Sequence, residues 1–305
     1  MNAKKLQLIL CVGGLVIGID SALIAATTAQ LPAKFPAKTD NKGKQSNEAK
    51  AIKKSATSKK IKKNPRKKSK GNATILITID GGSAAKKSPI TKSLAEKINL
   101  IYLESGALYR TVSHVLLKHK LDPKPENERK IEDFLKTVSW KVTVRNRHAC
   151  FIVDGEILSD KELRSDQLNA TVALYSSQFE SVHNFCLKVA RKVLDFVVTD
   201  GFRGLIAEGR TCGTKTFPEA DLKFWFNASA RAKIDFRLNE EKEVDDPLRR
   251  DTLDKASSFA PLKEPKGVIR IWTHNRSLED NIRLVSAFIE QKFDEKNELA
   301  QSKKE

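Results

Sequence analysis

Ile77-Thr78-Ile79-Asp80-Gly81-Gly82-Ser83-Ala84-Ala85-Lys86-Lys87-Ser88-Pro89 decides how this chain is read. An apolar, β-branched run stops at two glycines, and Lys-Lys-Ser then leads into a helical pattern. In a phosphate-binding loop, G-x-x-x-x-G-K-[ST], glycines let backbone N–H groups curl around phosphate oxygens, the lysine reaches the phosphates and the hydroxyl faces Mg²⁺. Gly81, Lys87 and Ser88 stand at those positions, so Lys87 rather than Lys86 is the expected phosphate lysine. The glycine that should precede it is Lys86, which restricts backbone freedom the loop ordinarily uses. Taken alone, the pattern also suits a plain strand-turn-helix with a basic turn.

The flanks favour the loop. Thr74 to Ile79 has the β-branched composition of a strand buried on both faces. Pro89 falls in the first turn of the next helix, where its missing N–H has no intrahelical partner. Ile90, Leu94, Ala95 and Ile98 give that helix a buried stripe. A second strand, Leu100 to Leu103, runs directly into Glu104-Ser105-Gly106-Ala107-Leu108-Tyr109-Arg110, so strand-loop-helix occurs twice before residue 110. That alternation predicts a parallel sheet with helices on both faces.

These residues resemble the bacterial cytidylate kinase family of P-loop nucleoside monophosphate kinases. Ile79-Asp80-Gly81-Gly82, Leu94-Ala95-Glu96-Lys97 and Tyr102-Leu103-Glu104-Ser105-Gly106-Ala107-Leu108-Tyr109-Arg110 match its opening motifs in order. Trp140 to Val144, Cys150 to Gly155 and Leu163-Arg164-Ser165-Asp166 resemble its small, β-rich substrate-binding insert. Ala207-Glu208-Gly209-Arg210-Thr211-Cys212-Gly213-Thr214, then Arg250-Asp251 with Asp254, then Ala260-Pro261-Leu262, follow the later motifs. Val268 to Trp272 is the expected last strand, and Ser277 to Phe293 the closing helix, with Leu278, Ile282, Val285 and Ile289 on one face. The resemblance implies a P-loop α/β fold with a five-stranded parallel sheet, helices on both faces, and an insert at about residues 138–170.

It also implies roles. Lys87 would reach the ATP phosphates, Ser88 would face Mg²⁺, Arg210 would steady the transferring phosphoryl group, and Asp80 would orient the metal's water shell or the loop. Gly81, Gly82, Ser83, Ala84, Ala85, Lys86, Lys87, Ser88 and Pro89 would form the ATP-binding loop. Ser105, Arg110, Arg164, Arg250 and Asp254 would bind the acceptor, CMP or dCMP. Departures from the family pattern include Lys86 in place of a glycine, Pro89 in place of the loop's final Thr, Thr211 in place of the Asp after Gly-Arg, and Ser257 in place of an Arg. His183 stands near a phosphate-binding Arg. A serine cannot match a planar guanidinium fork, and a neutral histidine gives up the charge.

The charge is unevenly placed. Of the formal net +18, residues 31–71 carry about +13 and residues 72–305 about +4, so the basicity does not by itself call for a nucleic-acid partner. Poor in large apolar residues, residues 31–71 are expected to be a disordered linker, either a solvated spacer or a strip lying on anionic lipid. Without interleaved aromatics, nucleic-acid binding is the weakest option. Ahead of it, Leu6 to Ala26 is apolar apart from Gln7, Asp20 and small residues. It reads as a membrane anchor holding the kinase-like domain in the cytoplasm, or as a cleaved signal peptide leading to export. Four scattered cysteines, Cys11, Cys150, Cys186 and Cys212, indicate neither a zinc site nor a disulfide framework. The expected organisation is residues 1–30 anchor or signal, 31–71 linker, 72–295 monomeric kinase-like domain and 296–305 charged tail.

Three functions remain open: a working kinase with Mg²⁺ and ATP, a catalytically degenerate kinase-fold binder tethered at a membrane, and a basic-tail nucleic-acid binder. Retained Lys87, Arg110, Arg210 and Arg250 favour the first, while Lys86, Thr211 and Ser257 favour the second.

Overall fold

The computed structural model describes residues 9–12, 15–18, 74–238 and 247–302. Near the N-terminus, β1 (Ile9–Val12) and β2 (Leu15–Gly18) pair antiparallel with Val12 opposite Leu15. Only Gly13-Gly14 separates them in sequence, the composition a two-residue hairpin loop favours. Over those residues the strands differ from the helical anchor expected between residues 6 and 26. Among the described residues no helix is long and apolar enough to cross a membrane. The rest of that segment and the basic stretch 31–71 lie outside the described residues.

The unit Arg66–Glu305 holds the kinase-like fold. In order it runs β3 (Ile75–Gly81), α1 (Lys87–Ile98), β4 (Leu100–Glu104), α2 (Ser105–Lys118), α3 (Glu128–Thr137), β5 (Trp140–Arg145) and β6 (His148–Val153). There follow α4 (Asp160–Leu163), α5 (Asp166–Gln178), α6 (Glu180–Arg191), α7 (Leu194–Thr199) and β7 (Gly204–Gly209). After a π-helical turn at Cys212–Thr216 come β8 (Leu222–Asn227), α8 (Ala230–Leu238), α9 (Pro247–Ala256), β9 (Ile269–Trp272) and α10 (Leu278–Ser302).

One seven-stranded sheet has the order β5-β6-β4-β7-β3-β8-β9. Its five strands β4, β7, β3, β8 and β9 are parallel, as expected, with β3 at the centre. The count is seven rather than five because the insert's antiparallel hairpin, β5 and β6, joins the same sheet through the pair Tyr102 and His148. Alternation along each central strand feeds two cores. Ile75, Ile77 and Ile79 of β3, with Tyr102 and Ile206, pack on α1 and α10, while Ile101, Leu103, Leu205 and Ala207 point to the side of α2, α5 and α6. Each of these fully buried Ile and Leu side chains contributes about 1.5–3 kcal/mol.

α1 buries the expected stripe, Ile90, Leu94, Ala95 and Ile98. On α10 the stripe is Val285, Ile289 and Phe293, whereas Leu278 is 36% exposed. Position 278 opens the helix, and buried Asn281 instead ties the entry by donating from Nδ2 to the carbonyls of Thr273 and Ser277. The helix also continues to Ser302 through the residues expected as a tail from 296.

Candidate active site

β3, β4 and β7 end side by side, and their carboxyl ends open on a cleft of about 520 Å³. This is where open parallel sheets place their ligands. Gly81 closes β3 at φ 151°, where a Cβ would run into the Phe226 carbonyl of β8. The loop then curls through left-handed Ala84 (φ 52°) and Lys86 (φ 51°) into α1. No side chain caps the start of α1, which leaves its first-turn N–H groups facing the cleft as an anion cradle.

Lys87 folds back over the loop, donating from Nζ to the carbonyls of Gly81 (3.0 Å) and Gly82 (2.6 Å). Burial, and then the nearby Arg210 charge, bring its pKa down to about 8, with Glu208, Asp251 and Asp80 opposing. Ser88 Oγ donates to Glu208 Oε1 at 2.7 Å, and Tyr102 OH donates to Glu208 Oε2 at 2.6 Å. Glu208 is 5% exposed, and burial raises its pKa against the pull of Lys87.

Asp80 lies beneath the cleft floor. Both of its oxygens accept backbone hydrogen bonds, from Cys212 N (2.8 Å) and Gly213 N (2.6 Å), so it fixes the turn that follows Arg210. Both bonds go to this turn and not to residues 81–89. Burial lifts its pKa to about 6, against those hydrogen bonds and Lys87.

Arg210 is held by α9, through Asp251 Oδ1 at 3.1 Å and through Asp254. Asp251 also accepts from the Ser83 N–H (2.7 Å) and from Lys233 of α8 (2.6 Å). Burial works against the Asp251 charge, but Lys233, the Ser83 N–H and Arg210 outweigh it and hold its pKa below the ordinary value. A Cβ on Gly82 would collide with that Asp251 carboxylate.

On the opposite wall, Arg110 donates to Asn169 Oδ1 (3.0 Å) and Arg164 pairs with Glu104 (3.6 Å). Ser105 opens α2 beside Gly209, and Asp254 completes the rim. His183 is 3% exposed, shares a 2.6 Å hydrogen bond between Nδ1 and Tyr109 OH, and has its pKa pulled down to about 4 by burial and then by Lys215. Ser257 accepts from Ala260 N at 3.2 Å through Oγ.

The expected residues Lys86, Lys87, Ser88, Arg110, Arg164 and Arg210 thus line one cleft. Asp80 does not reach it, and the Arg250 side chain lies outside the described residues, its backbone being on α9. Glu208 and Asp251, which stand in the motifs without a role read from sequence, and Lys233 and Phe236, which stand in none, also belong to the site. Glu208 carries one signal in sequence, an acid that ends the apolar run Leu205-Ile206-Ala207, and the structure pairs it with Glu104. Ser88 and Glu208 offer a hydroxyl and a carboxylate, the hard oxygen donors Mg²⁺ prefers. Among the described residues no group of three or more His, Cys, Asp or Glu could hold a metal.

Residues 77–291 match the family model described as cytidylate kinase. The chain is 32% identical over 217 residues to the bifunctional pantoate ligase/cytidylate kinase of Prochlorococcus marinus (strain MIT 9301), covering 67% of this chain and 41% of that protein. It therefore spans about two fifths of the length of that relative. It is 28% identical to the cytidylate kinase of Clostridium tetani over 71% of this chain and 94% of the relative, and 28% identical to that of Acholeplasma laidlawii over 72% and 96%. With a family match that covers most of the chain and motif residues gathered around one cleft, this chain belongs to the cytidylate kinase family.

Proposed function

We propose that this protein transfers the γ-phosphate of ATP to CMP or dCMP, slowly, using Mg²⁺. The observation that carries the reading is the convergence of Lys87, Arg210 and the Ser88–Glu208 pair on one cleft at an uncapped helix N-terminus. Phosphoryl transfer demands positioning and neutralisation of charge on phosphate oxygens. Here α1 and Lys87 serve the donor phosphates, and Arg210, released from the α9 carboxylates, serves the group in transit. Ser88 and Glu208 hold Mg²⁺, which supplies charge neutralisation on the donor phosphates. Arg110 and Arg164 bind the acceptor from the other wall.

A second reading, nucleotide binding without turnover, is favoured by one observation. His183, on the acceptor side, is held neutral at ordinary pH by its burial. Transfer of labelled phosphate from ATP to CMP, dCMP and UMP by the full chain separates the two. Slow product formation with the cytidine nucleotides supports a kinase, and ATP binding without any product supports the second reading.

A further inference from the structure

We propose that Tyr102 is a positioning residue that fixes the Glu208 carboxylate for the metal, an inference that rests on the reading of Ser88 and Glu208 as the metal-holding pair. The register of β4 and β7 sets Tyr102 opposite Ile206 and Glu104 opposite Glu208. Tyr102 and Glu208 are therefore diagonal neighbours on one face of the sheet, within reach for a long side chain. That face is the one covered by α1, whose first turn carries Ser88.

A glutamate carboxylate hangs on a flexible stem, and left alone it would sample several headings. Here each oxygen has its own partner. Oε1 takes the Ser88 hydroxyl at 2.7 Å, and Oε2 takes the Tyr102 hydroxyl at 2.6 Å. Tyr102 cannot drift, because it is 1% exposed and its ring meets the His148 ring edge-on at 5.1 Å. The phenol thus commits one carboxylate oxygen and leaves the other aimed at the loop serine. Groups that orient a metal-binding carboxylate typically matter by about 10–100-fold in metal affinity.

The test measures Mn²⁺ bound to the full chain with ATP by electron paramagnetic resonance, beside metal-free ATP affinity. Tyr102→Phe should weaken Mn²⁺ in the ternary complex by roughly ten-fold or more, with metal-free ATP affinity unchanged. In a Glu208→Gln background the same substitution should add nothing, which a general packing defect would not reproduce. Tyr102→Leu, which also removes the phenol and leaves Glu208 intact, should show the same loss and serves if the phenylalanine variant folds poorly. Mn²⁺ binding by a folded Tyr102→Phe or Tyr102→Leu variant equal to that of the unaltered chain would overturn the role of Tyr102 alone. If the unaltered chain holds Mn²⁺ no better than ATP does by itself, or Glu208→Gln changes nothing, the metal-holding pair fails and the inference with it.

Discussion

The Lys86 ammonium sits 3.8 Å from the centroid of the Phe236 ring, so a loop residue with left-handed backbone reaches across to α8. Left-handed backbone costs a non-glycine residue about 1–2 kcal/mol. A partly desolvated cation–π contact returns about 0.5–2 kcal/mol. The two nearly cancel. Lys86→Gly is therefore expected to change unfolding free energy by no more than about 1 kcal/mol, measured by urea titration, while α8 becomes more susceptible to limited proteolysis.

Lys87 should behave in the opposite way. Its charge is held in a buried site that lowers its pKa to about 8, so the fold gains little from it. Lys87→Ala should leave the melting temperature unchanged or raise it, yet reduce phosphoryl transfer by about 10²-fold or more, the scale of losing one preorganised charged donor. A loss of transfer matched by a loss of folding would contradict this assignment.

Glu208→Gln keeps the size of the side chain and removes its charge. Transfer should fall about 10²-fold, comparable to removing one preorganised electrostatic group, with ATP binding in the absence of metal retained. Activity that is unchanged at every Mg²⁺ concentration would remove Glu208 from the metal site.

Local order was legible and long-range contact was not. β3, the loop and α1 announce themselves through a β-branched run, two glycines and a 3.6-residue stripe, all within one stretch of chain. Lys86 meets Phe236 and Ser83 meets Asp251, partners 150 and 168 positions away, and no local pattern encodes such pairs. Glu208 stands in the Ala207-Glu208-Gly209-Arg210 run, but its role shows only where Ser88 and Tyr102 close on it in space. The insert's hairpin was readable as β structure, whereas its attachment through a single pair, Tyr102 and His148, was not.

His183 makes stability depend on pH. Its pKa is about 4 in the fold against 6.5 ordinarily, so between those values the unfolded chain takes up a proton that the folded chain refuses. Its contribution is complete above about pH 6.5 and is lost as pH falls towards 4. Asp80, raised from 3.8 to about 6, works the other way, its contribution being lost as pH rises through that window. The unaltered chain can therefore show a shallow profile that hides both. His183→Gln should gain stability relative to the unaltered chain on going from pH 7.5 to pH 4.5, as read by paired urea titrations. A difference that stays constant with pH would show that His183 does not titrate as a buried neutral group.

The acceptor half of the reaction is where catalysis should be weakest. Thr211 lines the cleft beside Arg210 and offers a hydroxyl where a carboxylate could accept from the cytosine amino group. Ser257 spends its hydroxyl on the Ala260 N–H, and His183 is neutral. Hydrogen bonds to charged groups contribute about 1.5–3 kcal/mol each, so two missing contacts would cost about 3–6 kcal/mol, or about 10²–10⁴-fold in rate. Introducing Thr211→Asp together with Ser257→Arg should raise CMP turnover by a large part of that range. The gain is limited because Ser257→Arg gives up the turn bond to Ala260, worth about 0.5–1.5 kcal/mol, which Thr211→Asp alone would not. The single variants, assayed beside the double, separate the two terms. A large gain marks a cytidylate site that has lost contacts; no gain, with good transfer to another nucleotide, would mean that the cleft has been remade for that acceptor and would overturn this prediction.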